Sequence, residues 1–269
     1  MVRNAPRLIV IAGPNGAGKS TIAPALLRER FDVREFVNAD VIAQGLSAFA
    51  PESVAFAAGR VMLRRLRELA DARSDFAFET TLASRSFAPW IAGLKVRGYV
   101  FDLVFVWLRD ARLAAERVQL RVAAGGHSIP AQVVHRRFER SRRNFFELYR
   151  PIADRWTVYD NSNPAGARVI ARGSGPEVAE VLDTNCWRGI EPPTDMIRES
   201  APTPSRFPDA EAMDRVVARA VREALWRHKQ LGQSIVAWQE GRIVRIEAKD
   251  IPVDPPDVEG GDARRTTSG

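Results

Sequence analysis

Eight consecutive residues, Gly13-Pro14-Asn15-Gly16-Ala17-Gly18-Lys19-Ser20, follow the spacing G-x-x-x-x-G-K-[ST]. Each residue type in that pattern has a task on a polyphosphate. The glycines allow successive backbone N–H groups to turn toward phosphate oxygens, and a helix opening near Thr21 adds its positive N-terminal end. Lys19 would span the β and γ phosphates, and the Ser20 hydroxyl would hold Mg²⁺. The expected nucleotide ligands are therefore Gly13, Asn15, Gly16, Ala17, Gly18, Lys19, Ser20 and Thr21.

The loop alone does not decide whether a γ phosphate passes to water or to an acceptor. Asp40, in Phe36-Val37-Asn38-Ala39-Asp40, lies just past a strand end, where open α/β sheets gather ligands. It is suited to take a proton from an acceptor hydroxyl, or else to cap a helix that starts at Val41. Glu79 ends a second such strand, Phe76-Ala77-Phe78-Glu79, with Thr80 and Thr81 following. Glu79 would hold Mg²⁺ or, with Thr80, the acceptor; a plain surface carboxylate is the alternative. Arg85 is a candidate for an anionic acceptor. Arg117 and Arg121, the segment Gly125-Gly126-His127-Ser128-Ile129-Pro130, and Arg136 and Arg137 have the composition of a glycine-hinged lid over triphosphate. Arg121 and Arg136 are expected to neutralise the transferring phosphoryl group and Arg137 to grip the nucleotide, although exposed helix charges serve as well. His127 would tie down that loop or touch ligand. Tyr159-Asp160-Asn161-Ser162 would reach a base edge or form a simple turn.

These residues need a frame. Strand candidates at Arg7 to Ala12, Glu35 to Asn38, Phe76 to Glu79, Val100 to Leu108 and Trp156 to Tyr159 alternate with helical stretches such as Pro51 to Arg73, where Val54, Val61, Leu66 and Leu69 would face a core. The pattern predicts an α/β fold with a doubly wound, mainly parallel, five-stranded sheet. The predicted kinase-like domain spans 1–188, and a proline-rich linker follows at 189–208. Beyond it, Asp209 to Leu231 reads as an amphipathic helix capped by Asp209, and Ser234 to Gln239 and Arg242 to Glu247 as strands joined by Glu240-Gly241. This helix and hairpin at 209–253 is too small to build a core alone, and 254–269 has the composition of a disordered tail.

The 269 residues carry 45% hydrophobic and 27% charged residues, which excludes collagen-like, coiled-coil and wholly disordered classes. A single cysteine rules out an internal disulfide, and with three histidines a protein-only metal cage is not expected. The net charge of +7 concentrates in Arg112 to Arg143, where eight arginines face only Glu116 and Glu139. So focused an excess argues for a local anion site, and nucleic acid is not an expected partner because the sequence shows no basic stretch interleaved with aromatics. The apolar run Leu8 to Ala12 is too short for a membrane span or signal core, and the cytoplasm is the expected compartment.

Taken together, GPNGAGKST, FVNAD with GLSAF and PES, FAFETTL, RVAAGGHSIP, RRFERSRRNF and YDNS resemble the zeta-toxin family of P-loop kinases in its short bacterial form, over residues 7–175. The resemblance implies an enzyme that uses Mg-ATP to phosphorylate a hydroxyl of UDP-N-acetylglucosamine, with an antitoxin that blocks the nucleotide site. By position, Lys19 and Ser20 match the phosphate-loop pair, Asp40 the family's base, Glu79 the acidic residue after the third strand, and arginines around Gly125 to Arg137 the nucleotide clamp. The departure is compactness: longer members carry additional substrate-binding elements. Residues 209–253 resemble small proteins that accompany such kinases as separate chains, so an antitoxin within the chain or separate from it is expected; a sheet cap or dimerisation hairpin is the alternative. Two other readings stay open, a nucleotide switch or ATPase with a protein partner and a kinase of nucleic-acid ends. The LSGGQ signature of transporter ATPases is absent from the sequence.

Overall fold

The computed structural model describes residues 5–48, 50–123, 129–191 and 210–255. Residues Leu8 to Ala12 are fully buried aliphatics, as a strand covered on both faces requires, and they form the central strand β1 (Arg7–Ala12). Beside it run β2 (Glu35–Val37), β3 (Phe76–Thr80), β4 (Val100–Trp107) and β5 (Arg155–Asp160), all parallel, so the five predicted strands are all present. Among the described residues the sheet has seven strands in the order β2-β3-β1-β4-β5-β6-β7. The extra two, β6 (Arg168–Ser174) and β7 (Glu177–Val181), are antiparallel and extend the predicted five-stranded sheet beyond β5. In β6 a Cβ on Gly173 would lie 2.1 Å from the Trp156 ring, so glycine is what admits the indole.

The helices α1 (Lys19–Leu26), α2 (Ala39–Leu46), α3 (Ala55–Asp71), α4 (Phe87–Val96), α5 (Ala111–Ala123), α6 (Ala131–Asn144) and α7 (Thr184–Ile190) connect and cover the strands. In α3 the buried stripe is Ala58, Met62, Leu66 and Leu69, at helical spacing, so Met62 takes the place predicted for Val61. Because β1 is followed on one flank by β3 and on the other by β4, the connections diverge at the carboxyl end of β1, where such sheets bind ligands.

Helix α8 (Ala210–Gln230) and the hairpin of β8 (Ile235–Gln239) and β9 (Arg242–Ile246) match the predicted elements closely. Glu240 and Gly241 both have positive φ, 50° and 80°, as a two-residue hairpin turn matched to strand twist requires. Val216, Val217 and Val221 of α8 and Val236 of β8 belong to the same apolar cluster as β1 and α1. Arg172, 5% exposed, pairs with Asp214 of α8 and with Glu180, and Tyr159 donates to Asp214 at 3.1 Å. The predicted Asp209 cap, most of the predicted linker and the tail beyond Pro255 lie outside the described residues.

Candidate functional site

The phosphate loop turns between β1 and α1, and its glycines are required by close approaches. A Cβ on Gly13 would sit 2.1 Å from the Val106 carbonyl oxygen, one on Gly16 would sit 2.7 Å from that of Ala114, and Gly18 has φ 91° with Asn161 Nδ2 at 2.4 Å from any Cβ. Asn161 closes the loop from behind, donating from Nδ2 to the Ala17 carbonyl at 2.9 Å. The YDNS segment therefore holds the loop, and Asp160 within it is buried against Arg109 at 3.0 Å.

Lys19 is buried, donates to the Pro14 carbonyl at 3.0 Å, and stands 3.6 Å from Glu79 Oε1. Burial lowers its pKa, with Arg121 acting in the same direction and the Glu79 and Asp40 charges opposing both. Glu79 accepts from Ser20 Oγ at 2.9 and 3.2 Å and from Asn38 Nδ2 at 2.8 Å. Asn38 Oδ1 in turn accepts from the backbone N–H groups of Asp40 at 2.8 Å and Val41 at 3.4 Å. Asn38 is thus the N-cap of α2, and the helix starts at Ala39, not at Val41. The capping role weighed for Asp40 belongs to its neighbour, and Asp40 lines the cavity instead.

One cavity of about 600 Å³ brings together Asn15, Gly16, Gly18, Lys19, Ser20 and Thr21 with Asp40, Glu79 and Arg121. That volume is in the range of about 300–1,000 Å³ typical of small-ligand sites. Asn15 Oδ1 is buried without a hydrogen-bond partner, as a loop shaped around a polar ligand would leave it. The oxygen donors Ser20 Oγ and Glu79 fit Mg²⁺, which takes one or two protein oxygens and completes its shell with phosphate and water. Among the described residues, no group of three His, Cys, Asp or Glu side chains comes together to hold a metal without them.

Other expected residues are placed elsewhere. Gly13 and Ala17 shape the loop without lining the cavity, and Arg136, Arg137, Arg85 and Thr80 do not line it either. Arg136 and Arg85 are exposed, and the Thr80 hydroxyl accepts from the Leu82 N–H at 3.2 Å in the turn after β3. These four stand on or beside segments folded around their own turns or helix faces, which sequence spacing does not reveal. His127 and the Gly125 to Ser128 segment lie outside the described residues. Arg117, one residue type among many arginines in the sequence, does line the cavity and donates from Nε to the Val236 carbonyl at 2.8 Å. Asn38 was legible as a capping residue type, being an asparagine at a strand-to-helix turn.

P-loop kinases place their triphosphate at the carboxyl end of the strand that precedes the loop, and this chain, with a mostly parallel sheet and the phosphate-loop motif after β1, has the fold of that class. The family can be named as well. The zeta-toxin family model matches residues 2–167, and the chain belongs to the zeta-toxin family. A Haemophilus influenzae protein described as uncharacterized is 25% identical over 132 residues, covering 49% of this chain and 92% of its own. The crystal structure of the AvrRxo1-ORF1:AvrRxo1-ORF2 complex with sulphate ions is similar in fold, with a TM-score of 0.56 at 16% identity. That match covers 72% of this chain and 66% of the other, just under two thirds. The same complex with ATP gives a TM-score of 0.55 at 17% identity, with the same coverage.

Proposed function

We propose that this protein transfers the γ-phosphoryl group of ATP, with Mg²⁺, to a hydroxyl of a small acceptor, and that the acceptor is UDP-N-acetylglucosamine. The observation that carries the reading is the convergence of Lys19, Ser20, Glu79 and Asp40 on one cavity at the carboxyl edge of the sheet. Lys19 supplies positive charge to the phosphoryl oxygens, where charge spreads as the bond to the β phosphate breaks. Asp40, which lines the same cavity, accepts the proton of the attacking hydroxyl. Arg121 adds a second cation. Ser20 and Glu79 would hold Mg²⁺, which would supply positive charge to the phosphates. Asn38 keeps Glu79 and the start of α2 in register, so the two carboxylates keep fixed places.

The proposal takes residues 1–188 as the kinase unit and 209–253 as an element added to it. Membership of the zeta-toxin family supports an antitoxin as the protein partner and the cytoplasm as the setting; among the described residues, no helix is long and apolar enough to cross a membrane. The test is Asp40→Asn. Phosphoryl transfer falls by about 10²-fold or more while ATP affinity stays within about threefold. Transfer at the wild-type rate would remove Asp40 as the base, and wild-type protein that binds ATP without phosphorylating any acceptor would leave a nucleotide-binding switch as the better reading.

A further inference from the structure

The cavity that begins at the phosphate loop does not end there. Its far wall comes from residues 221–247, outside the 2–167 span matched by the family. Val221, Ala224 and Leu225 of α8 and Ile235 and Val236 of β8 face it, with Leu120 of α5 also lining it. His228, Gln233, Ser234, Arg245 and Glu247 set hydrogen-bonding groups among those apolar side chains. One end of the cavity is therefore the phosphate loop with its charged partners, and the other combines an apolar surface with hydrogen-bonding groups at its edge. A nucleoside triphosphate has the same division, charged at the phosphates and flat and largely apolar at the base.

The wall is registered against the loop by short links. The Trp238 N–H donates to the Ser162 carbonyl at 2.9 Å, one residue from Asn161, which holds Ala17. Arg117 Nε donates to the Val236 carbonyl, and burial pushes that guanidinium down to about 10, still a cation at neutral pH. The Asp214 contacts to Arg172 and Tyr159 anchor α8 to the sheet. Burial is also the main cause that lowers the His228 pKa, which favours the neutral imidazole, able both to donate and to accept.

We propose that the C-terminal helix and hairpin form the nucleobase and ribose half of the donor site, seating a purine against the α8–β8 wall. This rests on the phosphate loop binding the donor nucleotide, as proposed above. It makes residues 210–247 part of the binding site and not a plug for it.

The experiment compares ATP with inorganic tripolyphosphate by calorimetry on the full chain, using wild type, Ala224→Trp, His228→Ala and Lys19→Ala. Ala224→Trp fills the far end and lowers ATP affinity by about tenfold or more, with tripolyphosphate affinity within about twofold of wild type. His228→Ala, at a helix position that alanine suits, lowers ATP affinity by about threefold with tripolyphosphate unchanged, and keeps the test valid should the tryptophan disturb folding. Lys19→Ala weakens both ligands. ATP affinity unchanged in both wall variants, at wild-type melting temperature, overturns the proposal. So does tighter ATP binding, which would make residues 210–247 a restraint on the site. Wild-type protein that binds neither ligand, or Lys19→Ala that binds both normally, brings down the nucleotide reading itself and the base pocket with it.

Discussion

Replacing Asn38 separates the scaffold of the site from its chemistry. The residue is 7% exposed and works in two directions, capping α2 through Oδ1 and holding Glu79 through Nδ2. In Asn38→Ala the lost cap costs about 0.5–2 kcal/mol. Loss of a hydrogen bond to a charged carboxylate costs about 1.5–3 kcal/mol. Glu79 keeps Ser20 and Lys19, so the losses overlap and about 2–4 kcal/mol is expected in all. That corresponds to a fall in melting temperature of about 5–10 °C. Phosphoryl transfer should drop about 10–100-fold, as when a group that orients a metal ligand is removed. Asn38→Asp keeps a capping oxygen but sets a second carboxylate where Nδ2 now donates to Glu79 at 2.8 Å. Like charges raise the pKa of one member of such a pair, so the penalty is full above that raised value and is relieved as the pH falls and the pair takes up a proton. Guanidinium denaturation at pH 5 and pH 8 reads this directly: the gap between Asn38→Asp and wild type should be wider at pH 8. A wild-type midpoint for Asn38→Ala, together with a gap for Asn38→Asp that does not change with pH, would refute the double role of Asn38.

Gly18→Ala should lower ATP affinity by more than about tenfold and destabilise the fold by about 1–3 kcal/mol, because the new Cβ meets a positive φ and collides with Asn161 Nδ2; calorimetry showing wild-type affinity would contradict the loop geometry. Cys186 is buried beside Asp160 and Asp183, and burial with these charges pushes its thiol up to about 12. It should stay protonated at pH 8 and fail to react with Ellman's reagent until the protein is denatured. Because the folded value lies above the unfolded one, the associated stability is complete at neutral pH and declines as the pH climbs toward 12.

Much of this architecture is written in local pattern. The apolar run Leu8 to Ala12 followed by the glycine loop fixes β1, the turn and α1 together, and Glu240-Gly241 between alternating residues marks the hairpin without tertiary information. The residues proposed for the site, Lys19, Ser20, Asp40 and Glu79, are legible for the same reason, since each stands at a strand end or helix start. What local pattern misses is set by contacts distant in sequence. The two antiparallel strands β6 and β7 are absent from the predicted five, and the requirement for glycine at 173 is set by the Trp156 ring, seventeen residues away. Arg117 is indistinguishable from the other arginines of its helix until β8, more than a hundred residues later, offers it a carbonyl. The short helix α7 is held by the Asp183 cap and by Trp187 stacked on Trp156 at 5.7 Å, a pairing that its sequence alone does not signal. The same holds for the far wall of the cavity, which consists of residues chosen by spacing for an amphipathic helix and a hairpin. Their periodicity predicts burial against something, and the fold supplies α1, β6 and the nucleotide cavity as that something.

Phosphoryl transfer to a sugar-nucleotide hydroxyl is read out by mass spectrometry of the acceptor. The full chain is incubated with Mg-ATP and UDP-N-acetylglucosamine beside a small panel of nucleotides and sugars, with Lys19→Ala and Asp40→Asn as controls. The sugar nucleotide should gain one phosphate with wild-type protein, and no compound should gain one with either variant. ATP bound or consumed with every acceptor unmodified, or equal modification by wild type and Lys19→Ala, would contradict it.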